Sequence, residues 1–294
     1  MTVAKSLFTF IFTSFFLHFA QALPFILLHG VREACSHNRL TFFTTSLAAW
    51  SNSNGTCLEI GSGVKTSMFR RLDQQVAYAC NQIKSMEHLK NGYNLIGVSQ
   101  GAIIGRGIIE MCADTPQVNN FISLGGPQAG VASFPRCNNW IAPSGYLRLP
   151  NNHRRYLKGC RYLPEINNER EGQRNITYKN RFSNLANLVL IKFESDTVLV
   201  PKETSWFGFY EDGSFDKILP TKETNWYKED WFGLKTLDEA RKIHYVSVPG
   251  GHVEISWSNT IQYIIPYLYS RTVQQTGRYP FDPADANKIF WLQQ

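Results

Sequence analysis

Short apolar runs alternate along the chain with stretches whose apolar residues recur every three to four positions, the pattern of a parallel sheet with helices packed on its faces. Phe25-Ile26-Leu27-Leu28 is apolar at every position and predicts a buried strand, closed by His29-Gly30. Residues 57–60 predict a weaker second strand. Leu72, Val76, Ala79, Cys80 and Ile83 fall at helical spacing and make one apolar stripe. Residues 94–98 predict a strand, and residues 100–111 the helix that follows it. Further strands are predicted at 121–124, closed by Gly125-Gly126-Pro127, and at 188–193 and 243–248. Trp257, Ile261, Ile264, Ile265 and Leu268 predict a final packed helix kinked at Pro266. Between Gly130 and Asn184 the pattern dissolves into Pro, Asn, Arg and Tyr, which places an inserted helical and loop cap around residues 131–184. After Arg271 the composition is polar and predicts a loosely held tail.

The first residues change the picture of where the chain works. Lys5 precedes an apolar stretch at 7–17, and Ala20-Gln21-Ala22 fits a small-x-small cleavage site. Together they predict a signal peptide at residues 1–22, leaving 23–294 as one α/β domain with its insertion. The stretch is short for a bilayer span, and no later run is long enough, so no transmembrane segment is expected in the mature chain. Six cysteines, Cys35, Cys57, Cys80, Cys112, Cys137 and Cys160, suit disulfides in an exported chain, although their spacing does not select a pairing. None has C-x-x-C spacing, so no metal site is expected. Asn54-Gly55-Thr56 and Asn175-Ile176-Thr177 are glycosylation acceptors. The net charge of +7 is scattered, which argues against a nucleic-acid partner and leaves only weak attraction to anionic membranes.

Candidate chemistry centres on Gly97-Val98-Ser99-Gln100-Gly101, a G-x-S-x-G nucleophile elbow lying between a predicted strand and a predicted helix. The motif alone is common; its strand-turn-helix setting is what separates Ser99 from a serine in an ordinary turn. A serine hydroxyl needs a base, and the base needs an orienting carboxylate, in the chain order Ser, Asp or Glu, His. Only His153, His244 and His252 follow Ser99. His153 falls in the insertion and His244 inside the last strand, whereas His252 lies in the loop just past that strand. Asp196 lies just past the 188–193 strand, where strand ends converge on a site. Glu194 is its nearest competitor, and the plain alternative for Asp196 is a turn cap. Two oxyanion donors are expected: the N–H of Gln100 and, from the turn at His29-Gly30-Val31, the N–H of Val31.

These residues resemble the palmitoyl-protein thioesterases over nearly the whole mature chain. The resemblance rests on Leu28-His29-Gly30, Glu59-Ile60-Gly61, the elbow, Ile122-Ser123-Leu124-Gly125-Gly126 and Pro135-Arg136-Cys137. Further on it rests on Ile166-Asn167-Asn168-Glu169-Arg170 and Ser205-Trp206-Phe207-Gly208-Phe209-Tyr210. It implies an α/β-hydrolase, a mostly parallel central sheet covered by helices, that removes fatty acyl groups from cysteine or from coenzyme A. It also implies a lysosome-like compartment; vacuole and cell exterior stay open. The family's nucleophile, carboxylate and histidine fall on Ser99, Asp196 and His252. The similarity suggests a Cys80–Cys112 disulfide, leaving Cys35–Cys57 and Cys137–Cys160. One departure stands out: the family follows the His-Gly turn with a small residue and Asp, whereas this chain has Val31-Arg32-Glu33-Ala34-Cys35.

The expected substrate is therefore a long-chain fatty acyl thioester, cleaved through an acyl-enzyme without cofactor or metal. A lipase or O-ester esterase with the same triad is the alternative enzyme. A catalytically inactive lipid-binding protein on the same fold is the alternative outside enzymes.

Overall fold

In chain order the computed structural model, which describes residues 22–132, 141–269 and 289–291, begins with β1 (Phe25–Leu28), α1 (Asn38–Ser51), β2 (Gly55–Cys57) and α2 (Val64–Phe69). It continues through α3 (Leu72–Lys84), β3 (Tyr93–Val98), α4 (Gln100–Met111) and β4 (Val118–Leu124). Beyond β4 come two short 3-10 turns, then α5 (His153–Gly159), α6 (Tyr162–Ile166) and α7 (Ile176–Ser183). They are followed by β5 (Asn187–Phe193), the hairpin β6 (Phe209–Tyr210) and β7 (Ile218–Leu219), and α8 (Asn225–Lys228) and α9 (Leu234–Glu239). The described chain closes with β8 (Ile243–Val248), β9 (Glu254–Ser256), α10 (Trp257–Tyr263) and β10 (Ile289–Trp291).

The central sheet has six strands in the order β2-β1-β3-β4-β5-β8. Every neighbouring pair in it is parallel. Strand side chains alternate between two cores. Ile26, Leu28, Leu95, Leu188 and Leu190 join α3, α4 and the segment after β4 on one face. Phe25, Leu27, Ile96, Val98, Val189 and Ile191 join α1 and α10 on the other. Both faces being covered is why these strands read as continuous apolar runs. The architecture is that of an α/β-hydrolase.

Several expectations shift. The second strand is Gly55–Cys57, not 57–60, because register with β1 pairs Phe25 with Gly55 and Leu27 with Cys57. Leu58 and Ile60 are buried but belong to the loop beyond it. The sequence pattern does not predict α1, whose Thr and Phe content masks its stripe of Leu40, Phe43 and Leu47. The last helix stops at Tyr263, and Pro266 sits in a separate 3-10 turn, Ile265–Tyr267; the proline ends the helix region rather than kinking it. The tail is not wholly loose, since β10 pairs antiparallel with β9. Of the residues expected in the insertion, Leu147, Leu163, Ile166 and Phe182 pack into the main core. Residues 1–21, which carry the targeting-segment expectation, lie outside the described residues. Among the described residues no helix is long and apolar enough to cross a membrane.

Cys80 of α3 is bonded to Cys112 just past α4, and Cys35 to Cys57 at the end of β2. Cys160 is also disulfide-bonded; Cys137, its expected partner, lies outside the described residues. The Cys80–Cys112 link closes a chain separation of 32 residues. Loop-closure entropy then predicts that Cys80→Ser with Cys112→Ser lowers unfolding free energy by about 4 kcal/mol. Denaturant titration under non-reducing conditions measures it, and a change below about 1 kcal/mol would show that the crosslink restrains little.

Candidate active site

Ser99 stands between the end of β3 and the start of α4 with φ 53° and ψ −121°, a strained conformation for a residue with a side chain. The ladder enforces it: the Ser99 N–H donates to the Leu124 carbonyl at 2.8 Å, and Ala102 N–H donates back to the Ser99 carbonyl at 2.9 Å. Glycine is required on both sides. A Cβ on Gly97 would lie 2.3 Å from the Ala102 Cα, and one on Gly101 would lie 2.3 Å from the Leu28 carbonyl oxygen. The elbow is therefore pressed against the end of β1, beside the His29-Gly30-Val31 turn.

Asp196 and His252 arrive from neighbouring strands. Past the β5–β8 pairing, Glu194 N–H donates to the Val248 carbonyl at 3.0 Å and Ser195 N–H to the Gly250 carbonyl at 2.9 Å. The two loops are thereby stitched together beyond the sheet edge. Asp196 Oδ2 then lies 2.6 Å from His252 Nδ1, and His252 Nε2 lies 2.9 Å from Ser99 Oγ. The other oxygen, Asp196 Oδ1, accepts the N–H groups of Val198 and Leu199 at 2.9 and 3.0 Å. Both oxygens of this buried carboxylate are engaged, which fixes its rotamer and, through it, the imidazole. Ser99 and Asp196 are 5% and 7% exposed, so the relay is shielded from bulk water. The structure thus brings together the three residues that the sequence singles out. Such an arrangement can deliver a serine alkoxide to an electrophilic carbonyl.

Gln100 is fully buried, and its side chain is fastened: Nε2 donates to the Ser67 carbonyl at 2.7 Å, and Tyr146 Oη donates to Oε1 at 3.4 Å. Its backbone amide is therefore held at the first turn of α4. Val31 follows Gly30 in the turn beyond β1, where Arg32 N–H donates to Ser67 Oγ at 3.0 Å. Sequence reasoning misses three residues that hold these pieces. Glu59 contacts His29 and Cys35; Ser67 anchors both Gln100 and Arg32; and Glu254 Oε2 accepts the Gly251 N–H at 2.7 Å beside His252. Glu59 lay in a motif already visible, Glu59-Ile60-Gly61, but nothing in the string tells what the carboxylate touches. The other two leave no sequence signal.

The competitors are placed elsewhere. Glu194 Oε1 accepts from Ser247 Oγ at 3.2 Å on the exposed side. His153 starts α5 and lies 3.6 Å from Asp212. His244 Nε2 lies 2.9 Å from Asn187 Oδ1, and burial holds its pKa below the usual histidine value. His244→Gln, which keeps a donor toward Asn187, should leave kcat within about threefold of wild type. If it were as damaging as His252→Ala in a folded protein, the assignment of the base would change.

With this geometry in place, comparison with known proteins is decisive about kinship. Residues 24–252 match the family model described as palmitoyl protein thioesterase. A palmitoyl-protein thioesterase 1 of Caenorhabditis elegans is 35% identical over 283 residues, covering 86% of this chain and 94% of the relative. A palmitoyl-protein thioesterase 3 of Dictyostelium discoideum is 34% identical, covering 66% of this chain and 73% of the relative. A lysosomal thioesterase of Xenopus laevis is 32% identical, covering 57% and 64%. The matched span runs from the strand before the His29 turn to His252 itself, and with it the chain belongs to the palmitoyl-protein thioesterase family.

Proposed function

We propose that this protein hydrolyses long-chain fatty acyl thioesters, on S-acylated protein cysteines or on acyl-coenzyme A, with Ser99 as nucleophile, His252 as base and Asp196 as its orienting carboxylate. The observation that carries the reading is the continuous Ser99–His252–Asp196 relay, at 2.9 and 2.6 Å, in a chain of this family. Ser99 Oγ attacks the thioester carbonyl while His252 Nε2 takes its proton. The developing oxyanion rests on the backbone N–H groups of Gln100 and Val31. Collapse of the tetrahedral intermediate breaks the carbon–sulfur bond and leaves the acyl group on Ser99. A cysteine thiol has a pKa near about 8.5, so the sulfur leaves readily as thiolate; it then takes the proton from His252, which returns to the neutral base. Water, deprotonated by His252, then releases the fatty acid and restores the Ser99 hydroxyl.

The lysosomal names of relatives such as that of Xenopus laevis support an acidic, secretory-pathway location. Asn54 and Asn175 are both exposed and open to glycosylation there. Asn175 caps α7 through its side-chain carbonyl oxygen, which accepts the Thr177 N–H at 2.9 Å. The reading is tested with a fluorophosphonate probe: peptide mapping should find the label on Ser99, and labelling should abolish palmitoyl-thioester hydrolysis. Absence of labelling in folded protein would favour an inactive binder. Labelling with O-ester turnover alone would favour a lipase or esterase.

A further inference from the structure

We propose that Glu59 is a positioning residue that staples the two ends of the turn carrying the second oxyanion donor. The inference rests on the reading of Val31 as that donor. Glu59 Oε1 lies 2.8 Å from His29 Nε2 at the start of the turn, and Oε2 accepts the Cys35 N–H at 2.8 Å at its end. One carboxylate thus spans residues 29–35, and Val31 lies between its two attachment points.

The surroundings fit a clamp. His29 is 5% exposed, and its other ring nitrogen, Nδ1, faces the Gly30 carbonyl oxygen at 2.9 Å, so ring orientation and turn are set together. The Cys35–Cys57 disulfide ties the same turn to the end of β2, just ahead of Glu59. Glu59 and the loop it holds are therefore anchored to one point of the sheet. A Cβ on Gly63 would sit 2.7 Å from the Ala34 Cβ and 3.1 Å from both Glu59 oxygens, so no room remains for the turn to drift that way.

His29, Cys35 and Glu59 bring three ligand-type atoms within 4.8 Å of one another. They do not make a metal site, because the Cys35 sulfur is spent in its disulfide and both Glu59 oxygens already have hydrogen-bond partners. The chemistry of the partners explains why a carboxylate is needed. The Cys35 amide donates, as does His29 Nε2 in the tautomer that carries its proton toward Glu59, and only an ionised carboxylate offers an acceptor to each; an amide would present its own NH2 to one of them. Burial works against the Glu59 charge, but the hydrogen bonds from His29 and the Cys35 amide outweigh it and hold the carboxyl below its usual pKa. The clamp therefore stays ionised into the acid range.

An oxyanion donor acts only where charge develops, so its displacement penalises the transition state more than the bound substrate. Glu59→Gln should lower kcat about 10- to 100-fold per active site titrated with phosphonate, with KM within about threefold. Affinity for a long-chain trifluoromethyl ketone, whose tetrahedral adduct carries the oxyanion, should fall by a similar factor. Affinity for a non-hydrolysable acyl thioether should not change. If Glu59→Gln folds poorly, Glu59→Asp, which keeps both oxygens on a shorter arm, decides with the same readouts. Wild-type kcat per titrated site, or equal weakening of ketone and thioether, would overturn the staple. Ser99→Ala run alongside separates the two claims: an active Ser99→Ala defeats the proposed function, whereas an inert Ser99→Ala with intact Glu59→Gln defeats the staple alone.

Discussion

Ser99→Ala should abolish palmitoyl-thioester turnover, by at least about 10⁴-fold in kcat, while unfolding free energy stays within about 1 kcal/mol of wild type. The stability half of this expectation follows from the elbow. Ser99 is held at φ 53° by backbone bonds to Leu124 and Ala102, and alanine keeps the same backbone and the same Cβ. Only the oxygen facing His252 is lost. His252→Ala and Asp196→Asn should each cost about 10⁴-fold or more, and combinations should cost no more than the worst single change, because the relay acts as a unit. Asp196→Asn is the sharper probe. Its Oδ1 can still cap Val198 and Leu199, but an amide nitrogen at the Oδ2 position faces His252 Nδ1 and favours the wrong tautomer. Steady-state kinetics beside thermal melts check all three. Multiplicative losses in the double variants would mean that the residues act independently, contrary to the relay.

Arg106→Leu should be the most destabilising single change away from the site, by about 3–5 kcal/mol. Arg106 is completely buried on α4. Its Nε donates to Glu110 Oε1 at 2.7 Å, Nη1 to Asn167 Oδ1 at 2.6 Å and to the Gln128 carbonyl at 3.2 Å, and Nη2 to the Ile166 carbonyl at 2.8 Å. The guanidinium also lies 4.1 Å from the Phe232 ring centroid and 5.1 Å from that of Phe207. Leucine would leave the Glu110 carboxylate and three further acceptors buried without this donor. Denaturant unfolding measures the loss; a change under about 1 kcal/mol would mean that the surroundings rearrange to satisfy these groups. The pair also sets a pH dependence. Burial pushes the Glu110 pKa up from 4.5 to about 7, against the pull of Arg106. The folded state therefore holds this proton more tightly than the unfolded chain. The resulting stability is fully present below pH 4.5 and is lost as the pH rises through about 7. Glu110→Gln should flatten that slope.

The arginine box also explains what was legible in the sequence and what was not. The buried strands announced themselves because both faces of the sheet are covered, and the triad did because each member follows a strand in a fixed order. The Ser205-Trp206-Phe207-Gly208-Phe209-Tyr210 string carried the resemblance without a visible reason. In the fold its rings have specific tasks. Trp206 Nε1 donates to the Leu190 carbonyl at 2.9 Å, Phe207 stacks on Arg106, and the Phe209 ring centroid lies 5.2 Å from the buried Arg148 guanidinium. Ile166-Asn167-Asn168-Glu169 supplies acceptors to the same two arginines. These contacts join residues well separated along the chain, by 61 positions for Arg106 and Asn167, so no local periodicity reports them. The same holds for Glu59 and His29. Helix α1 escaped for another reason: Thr44 and Ser51 turn their hydroxyls back onto the Leu40 and Leu47 carbonyls, so polar residues sit on its buried face.

The most direct test of the central claim is a matched panel of acyl thioesters and oxyesters, from acetyl to palmitoyl, assayed for kcat/KM. If each added methylene is buried in the transition state, kcat/KM should rise about fourfold per methylene, from roughly 0.8 kcal/mol apiece, until the acyl site is filled. Thioesters should outrun oxyesters of the same acid at every length. A flat chain-length profile, or a preference for short oxyesters, would contradict the account and make this protein a general esterase on a thioesterase scaffold.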